Sequence, residues 1–534
     1  MFTFPTTHLG GPTNVDPKDV PPPTPINLPR YQPFSQDDAP LEESQTLGSM
    51  LKSTHRSTIS LLGPSGFTAI GLDLCLDARL EQLFPDPSFI PPFHEWERLT
   101  PDEAREKASG NTSQIRTGRA HPTCQVYLER RKELSNLNED AFRTVRRIPP
   151  PKGKQHARLG NTYEFFRSLE AFTTFWDDPT QHPDLPPSPE IGPGESGDAS
   201  AQPLTDKEKE LEDRNRVTRT ASGDTMPPEY RQGVLNAFIK LIAYEFGCNV
   251  AMARTEPRLH LSSPEGHSSP RKSYWASACN FIFQSPTTRE AARAGRVTGP
   301  VAAATARPIT DFTTPSVEAA QSLDLAREVI AALITAQHRS REGREEVRFG
   351  DGQWWTTKHR WGGGPGGPIG KEIERDAAAQ AQREAKNADA ADGAPQQPAA
   401  KKPRKNLSMY DNYRMVRPPA FTWDKKAEYE AVGKIRGADY DDIFVISSVF
   451  HHISILRIRV PTRLLEVLEG SPEPEPGTGR RSWGKVPAWR SPWYDFFQTE
   501  ERIEALKLLW TMMSWQMRKE GGGEDANDVE MKNA

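Results

Sequence analysis

Apolar residues recur at helical spacing in several separate stretches of the chain. Intervals of three or four residues between Leu, Ile, Val, Phe, Trp and Met side chains are typical of a helix that buries one face. The spacing predicts helices over residues 161–176, 229–246, 316–339 and 499–519. A shorter leucine stripe predicts another helix from Gly71 to Phe84, ended by Pro85 and Pro87.

The most apolar run extends from Ile443 to Val460. We interpret it as a buried helix whose start is capped by the carboxylates of Asp439, Asp441 and Asp442. Its many β-branched residues leave a pair of strands as the alternative. The same ambiguity holds for residues 275–283, where apolar side chains alternate but also fit a helix.

Between these stretches the chain is rich in proline, glycine and polar residues, which bury too little surface to offset the entropy of ordering. The expected fold is mainly α: an irregular helical domain assembled from discontinuous segments, with long disordered inserts and a small β element. The expected organisation is as follows: disorder over 1–49, a helical segment over 50–179, a disordered linker over 180–225, a helical segment with short strands over 226–340, a Gly/Ala/Lys-rich linker containing a tryptophan cluster over 341–409, a C-terminal helical segment over 410–518, and a disordered tail over 519–534.

Composition changes this picture in two ways. The 534 residues include 49 prolines, and 68 basic against 72 acidic residues leave a net charge of only −4. The near-neutral charge argues against a wholly disordered chain and against the broad basic surface of a nucleic-acid-binding protein. The first residues resemble no secretory signal, and the run 443–460 contains two histidines and two arginines, so we expect a soluble protein without a membrane span. The four cysteines form no CxxC pair and are expected to be reduced.

Motifs that carry chemistry are weak throughout. The string Gly362–Lys371 lacks the spacing of a phosphate-binding loop, and Gly63–Phe67 lacks the last glycine of a nucleophile elbow. Asp439–Asp442 matches a short acidic string of terpene cyclases, for which helix capping is the simpler explanation. His451 and His452 are adjacent and would point about 100° apart on a helix, so they could not bind one metal ion. We therefore assign no catalytic residue, no metal and no cofactor.

Three short signals concern interaction and regulation. A basic cluster of Lys401, Lys402, Arg404 and Lys405 is typical of nuclear import, although it also fits a solvated run of charge. Ser269 precedes a proline and two basic residues, as in sites of proline-directed kinases. Trp354, Trp355 and Trp361 could pack on the protein itself, anchor a partner protein, or stack on nucleic-acid bases beside Lys358 and Arg360.

These observations favour a non-enzymatic interaction or regulatory protein, scaffold-like, of the nucleus or cytoplasm, with protein partners. The first alternative is an enzyme whose site is assembled from distant residues, drawn from Asp177, Asp178, Asp441, His451 and His452. The second alternative is a nucleic-acid-associated protein that uses the segment 354–361.

Overall fold

A computed structural model of the chain describes residues 16–20, 23–31, 46–53, 64–176, 221–251, 257–263, 272–285, 297–307, 309–342, 429–472 and 481–519. The α-helices of these residues are α1 (Leu47–Ser53), α2 (Pro64–Ile70), α3 (Leu80–Leu83), α4 (Phe93–Trp96), α5 (Pro101–Ser109), α6 (Cys124–Leu134), α7 (Asn138–Arg146), α8 (Tyr163–Glu170), α9 (Pro228–Ala243), α10 (Val317–Arg339), α11 (Thr462–Leu468) and α12 (Thr499–Gln516). Their strands are β1 (Leu72–Cys75), β2 (Phe175–Trp176), β3 (Ala221–Ser222), β4 (Cys248–Ala251), β5 (Arg258–Ser262), β6 (Lys272–Ala276), β7 (Asn280–Gln284), β8 (Val297–Thr298), β9 (Ala302–Ala306), β10 (Tyr429–Glu430), β11 (Tyr440–Val449), β12 (His452–Pro461), β13 (Val486–Arg490) and β14 (Tyr494–Asp495).

A mixed sheet of eight strands forms the centre of the fold, in the order β1-β13-β12-β11-β9-β7-β4, with β14 also paired to β12. Strands β11 and β12 form a long antiparallel hairpin, in which Val449 lies opposite His452. Strand β9 runs parallel to β11, and β13 also has the direction of β11 because both are antiparallel to β12. Strands from the N-terminal, middle and C-terminal thirds of the chain therefore share one sheet.

Helices cover both faces of this sheet. Apolar side chains of α6, α7, α8, α9 and α12 pack on one face, and those of α1, α2, α10, α11 and β5 pack on the other. Strand β11 shows the division residue by residue: Phe444 and Ile446 belong to the first apolar cluster, whereas Ile443 and Val445 belong to the second. The fold is thus a layered α/β structure with two cores separated by one sheet.

The prediction of a mainly α fold is wrong. Helices account for 44% and strands for 20% of the described residues, and the large mixed sheet makes the fold an α/β mixture. The run 443–460 caused most of the error, because it forms β11 and β12 rather than a buried helix. Strands covered on both faces read as continuous apolar runs, which periodicity does not distinguish from a buried helix.

Two local predictions are also corrected. The leucine stripe predicted as a helix over Gly71–Phe84 forms β1 and the short helix α3, so only its last residues are helical. Asp441 and Asp442 cap no helix, because both lie inside strand β11. The helices predicted near 229–246, 316–339 and 499–519 are confirmed as α9, α10 and α12, while the aromatic stretch 161–176 forms α8, a 3-10 turn and β2.

The N-terminal region contributes to the packing. Residues 16–20 and 23–31 belong to the region expected to be disordered, yet Asp16 pairs with Arg143 of α7 and Tyr31 is buried. Ile26 and Leu28 contact an apolar cluster of Phe312, Ala320 and Val449. This stretch therefore crosses the end of the sheet at which β11 finishes.

All four cysteines are free, and three of them are buried. Within the described part of the chain, no helix has both the length and the apolar character that crossing a membrane requires.

Candidate functional site at the carboxyl-terminal edge of the sheet

Ionisable side chains converge where strands β9, β11 and β13 end. Arg307 follows β9, Ser447 lies near the end of β11, and Arg490 is the last residue of β13. In sheets of this kind, ligands commonly bind beyond the carboxyl ends of parallel strands, because the loops that follow these strands carry the binding residues. Two groups of side chains occupy this edge, one on each face of the β11–β12 hairpin.

The first group, here called the charge cluster, consists of Tyr31, Arg307, Asp324, Glu328 and Arg490. It lies between the sheet and α10, whose Asp324 and Glu328 are four residues apart and so share one helix face. Arg307 donates to both carboxylates, Arg490 pairs with Glu328, and the Tyr31 hydroxyl donates to Asp324. Ser447 also donates to Glu328 from the sheet.

The charge cluster is neutral and almost completely excluded from solvent. Its two arginines balance its two carboxylates, and none of these four side chains is more than 2% exposed. The Arg490 guanidinium carbon lies 4.8 Å from the centre of the Tyr31 ring, a cation–π distance. Burial and the neighbouring Asp324 raise the pKa of Tyr31 above its usual range, so this tyrosine stays a hydrogen-bond donor. The arrangement satisfies its charges internally and is typical of a structural network.

The second group, here called the histidine turn, consists of Phe450, His451, His452 and Asp495. Phe450 and His451 form the two-residue connection between β11 and β12, and Phe450 has a φ of 49°. Turns of this length favour glycine or asparagine at such a position, because a bulky side chain is strained at positive φ. The ring of Phe450 contacts Phe172 at a centroid distance of 4.8 Å, which holds the strained residue in place. Backbone outliers of this kind occur frequently at functional sites.

Strand β14 brings a carboxylate to this turn. It pairs with the start of β12, so that Asp495 lies opposite His452 in the register. His451 Nδ1 is 2.7 Å from Asp495 Oδ1, and the backbone N–H of Phe497 donates to the same oxygen at 2.8 Å. The two histidine rings are adjacent and tilted, with centroids 4.3 Å apart and planes inclined by 30°.

The protonation of the histidine turn follows from its surroundings. Burial alone would raise the pKa of Asp495, but the hydrogen bond and the charge of His451 lower it overall, so the carboxylate is ionised at neutral pH. Burial, helped by the charge of His451, lowers the pKa of His452 to about 3. His452 is therefore a neutral imidazole over the physiological range. A carboxylate and a neutral imidazole are both available as bases or as metal ligands.

The enzyme hypothesis named five residues, of which the structure describes Asp441, His451 and His452. The rings of His451 and His452 lie side by side, although the assumed helix would have turned them apart. They can do so because His451 ends a tight turn and His452 begins strand β12. Asp441 lies at the other end of β11, about 26 Å away at roughly 3.3 Å per residue. There it accepts a hydrogen bond of 2.9 Å from Arg339, while Asp442 pairs with Arg457 and Arg459.

The other predicted site residues lie outside the described residues: Asp177, Asp178, Ser269, Trp354, Trp355, Lys358, Arg360, Trp361, Lys401, Lys402, Arg404 and Lys405.

Asp495 and the five members of the charge cluster were not singled out from the sequence. Asp495 is 44 positions from His451, and Tyr31 is 293 positions from Asp324. Both pairs depend on strand order and register, for which the sequence contains no local signal. A partial clue is the presence of Asp324 and Glu328 on the apolar face of an otherwise predictable helix, because carboxylates there need buried cations.

Comparison of the chain with models of known protein families, with curated proteins and with solved structures finds no match to any of them.

Proposed function

We propose that the chain is an interaction or regulatory protein of the nucleus and cytoplasm, in which a folded α/β core anchors long sequence insertions that bind partners. One observation carries the proposal: the two ends of the insertion 343–428 are fixed beside each other on the core. Glu342 Oε1 accepts a hydrogen bond of 3.1 Å from the backbone N–H of Ala431, which joins the residues on either side of the insertion.

Side chains and backbone of the core strengthen this anchor. Arg116 Nη2 lies 2.5 Å from Glu430 Oε1, and Arg116 Nη1 donates to the carbonyl of Ala431 at 3.2 Å. Strand β10, where the chain returns, pairs in parallel with β8. A polar cleft of about 270 Å³ lies at the same place, and Arg116, Glu342, Glu430 and Lys434 contribute to its lining. The chain therefore leaves and re-enters the core at one polar position on its surface.

A second insertion, 177–220, has the same design. The chain leaves after β2 and returns at β3, and these two strands pair with each other in parallel, Trp176 opposite Ser222. A Cβ atom on Gly223 would lie 2.5 Å from the Trp176 carbonyl oxygen, so only glycine allows this close approach. Both insertions are consequently closed at their bases by contacts within the core.

Closed bases explain how the chain tolerates such long polar segments. Lengthening a loop whose ends are already fixed costs little additional entropy, since the cost grows only logarithmically with length. The insertion 343–428 also contains the tryptophan cluster and the basic cluster, the two strongest interaction signals in the sequence. We infer that the tryptophans anchor a partner protein and that the basic cluster directs nuclear import.

The test replaces residues 343–428 by a short Gly/Ser linker in the otherwise complete chain. Because Glu342 and Ala431 already touch, we expect this variant to unfold cooperatively, like the unmodified protein. We also expect it to lose both its co-purifying partners and its nuclear accumulation in cells of the native source. Circular dichroism, quantitative affinity purification and imaging of a fluorescent fusion measure the three quantities.

Two smaller variants separate the signals. Changing Lys401, Lys402, Arg404 and Lys405 to alanine should abolish only nuclear accumulation, and changing Trp354, Trp355 and Trp361 to alanine should abolish only partner capture. The matched control removes the same charge from four exposed positions of the core, Lys107, Lys152, Lys154 and Arg158. If the linker variant keeps its partners and its distribution, or if it fails to fold, the proposed role of the insertion is wrong.

A further inference from the structure

We propose that the histidine turn is a binding site for a divalent first-row transition-metal ion such as Zn²⁺, with His451, His452 and Asp495 as its three protein ligands. One potential ligand atom from each of these residues lies within 4.8 Å of those from the other two. Two imidazoles and one carboxylate form a donor set that suits Zn²⁺ and its neighbours. This inference is independent of the role of the insertions.

The hairpin geometry makes adjacent histidines compatible with one ion. His451 is the last residue of the turn and His452 the first residue of β12, and their rings face each other with centroids 4.3 Å apart. Ligand atoms at about 2.1 Å from a shared ion lie about 3–4 Å from each other. Rotation of the His452 ring about its side-chain bonds closes the remaining gap of about 1 Å.

Asp495 is held in position for this role. Its Oδ1 accepts from the Phe497 backbone N–H at 2.8 Å, and its own backbone N–H donates to Glu501 at 2.6 Å. Contacts that orient a ligand in this way raise metal affinity, because less freedom is lost on binding. The ion takes the place of the hydrogen bond between His451 Nδ1 and Asp495 Oδ1, and the proton of that nitrogen moves to Nε2 of the same ring, which leaves a neutral imidazole as the ligand.

The surroundings combine an apolar wall with an open side. Phe497 and Phe450 pack their rings against His451, at centroid distances of 4.9 and 5.4 Å. Asp495 remains 14% exposed, so an ion can reach the site from solvent. Three protein ligands leave a coordination position for water or a substrate group, as in catalytic rather than structural zinc sites.

The experiment uses the full chain without a polyhistidine tag, stripped with a chelator and then dialysed. Titration with ZnCl₂ by calorimetry should give one ion per chain with a Kd of about 1 μM or tighter. Titration with Co²⁺ should give visible d–d absorption without the near-ultraviolet bands of thiolate ligands, which excludes binding by Cys75. The variants His452→Ala and Asp495→Asn should each bind at least about tenfold more weakly.

The control variant is His156→Ala, which removes an exposed histidine elsewhere and should bind as the unmodified protein does. Circular dichroism checks that each variant is folded. Should a variant fail this check, the unmodified chain still decides the matter: absence of Zn²⁺ binding, or thiolate bands with Co²⁺, overturns the proposal. Equal Zn²⁺ affinity in the unmodified chain and folded His452→Ala also overturns it.

Discussion

The charge cluster and the histidine turn lie on opposite faces of one hairpin. They differ in how far their charges are balanced and in how far they are exposed to solvent. In the charge cluster, each carboxylate already contacts an arginine, and solvent reaches none of the four charges. In the histidine turn, a carboxylate and two imidazoles approach each other, and Asp495 remains partly exposed. Arg231 lies over the ring of Phe450 and the charge of Arg502 acts on Asp495, but among the described residues neither arginine forms a salt bridge with this carboxylate.

This difference teaches that convergence of ionisable groups does not by itself identify a site. A buried group whose charges cancel internally has little left to offer a ligand, and its role is stability and a unique arrangement of strands. A partly exposed group with an excess of electron-pair donors gains by binding a cation. The two regions should therefore respond to mutation in opposite ways, strongly in stability for one and strongly in binding for the other.

The largest effect is expected from Glu328→Gln. This change leaves Arg307 and Arg490 buried with only one carboxylate, and breaking one partner of a buried ion pair costs about 3–5 kcal/mol. Urea unfolding followed by fluorescence measures the loss. The additional change Arg490→Met restores charge balance and should recover part of it.

The matched control for this prediction is Asp102→Asn. Asp102 also pairs with an arginine, Arg105, but their side chains are 90% and 68% exposed. Exposed pairs contribute little because water solvates both charges, so we expect no measurable change in stability. A loss of less than about 1 kcal/mol in Glu328→Gln would contradict the structural role of the charge cluster.

A smaller effect is expected from Tyr31→Phe. The change removes the hydroxyl that donates to Asp324 and keeps the ring beside Arg490, so about 1.5–3 kcal/mol should be lost, the range for hydrogen bonds to charged groups. Urea unfolding again gives the measurement, and Tyr244→Phe, at a tyrosine that is 52% exposed, is the control. Equal stability of the two variants would show that the stretch 23–31 contributes nothing to the charge cluster.

The sequence allowed prediction of the helices better than of the sheet, and the reason is physical. Helix α9 buries one face, whereas α10 and α12 are buried on nearly all sides, but all three have apolar residues at intervals of three or four, which a single sequence displays. Strands β11 and β12 are buried on both faces, so the alternation that marks a strand is missing. Only the β-branched side chains of residues 443–460 indicated the alternative, a pair of strands.

Only the two histidines of the candidate site could be identified from the sequence. His451 and His452 were visible as neighbours, but the assumed helix turned their rings apart and led to the conclusion that they could not share an ion. Asp495 enters through the pairing of β14 with β12, a contact between residues that are far apart in the chain. Register between distant strands is determined by the packing of the whole sheet, and no local pattern encodes it.

The smallest change in stability is expected at the histidine turn itself. In the absence of metal, His452→Ala removes a ring whose centroid lies 4.3 Å from that of His451, and such cross-strand and ring contacts contribute at most about 1 kcal/mol. Saturating Zn²⁺ should then raise the melting temperature of the unmodified protein but not that of the variant, because only an ion bound to the folded state stabilises it. Differential scanning calorimetry with and without ZnCl₂ makes the comparison, and His156→Ala should behave like the unmodified protein. A loss of stability in His452→Ala as large as that in Glu328→Gln would instead place the histidine turn in the same structural class as the charge cluster.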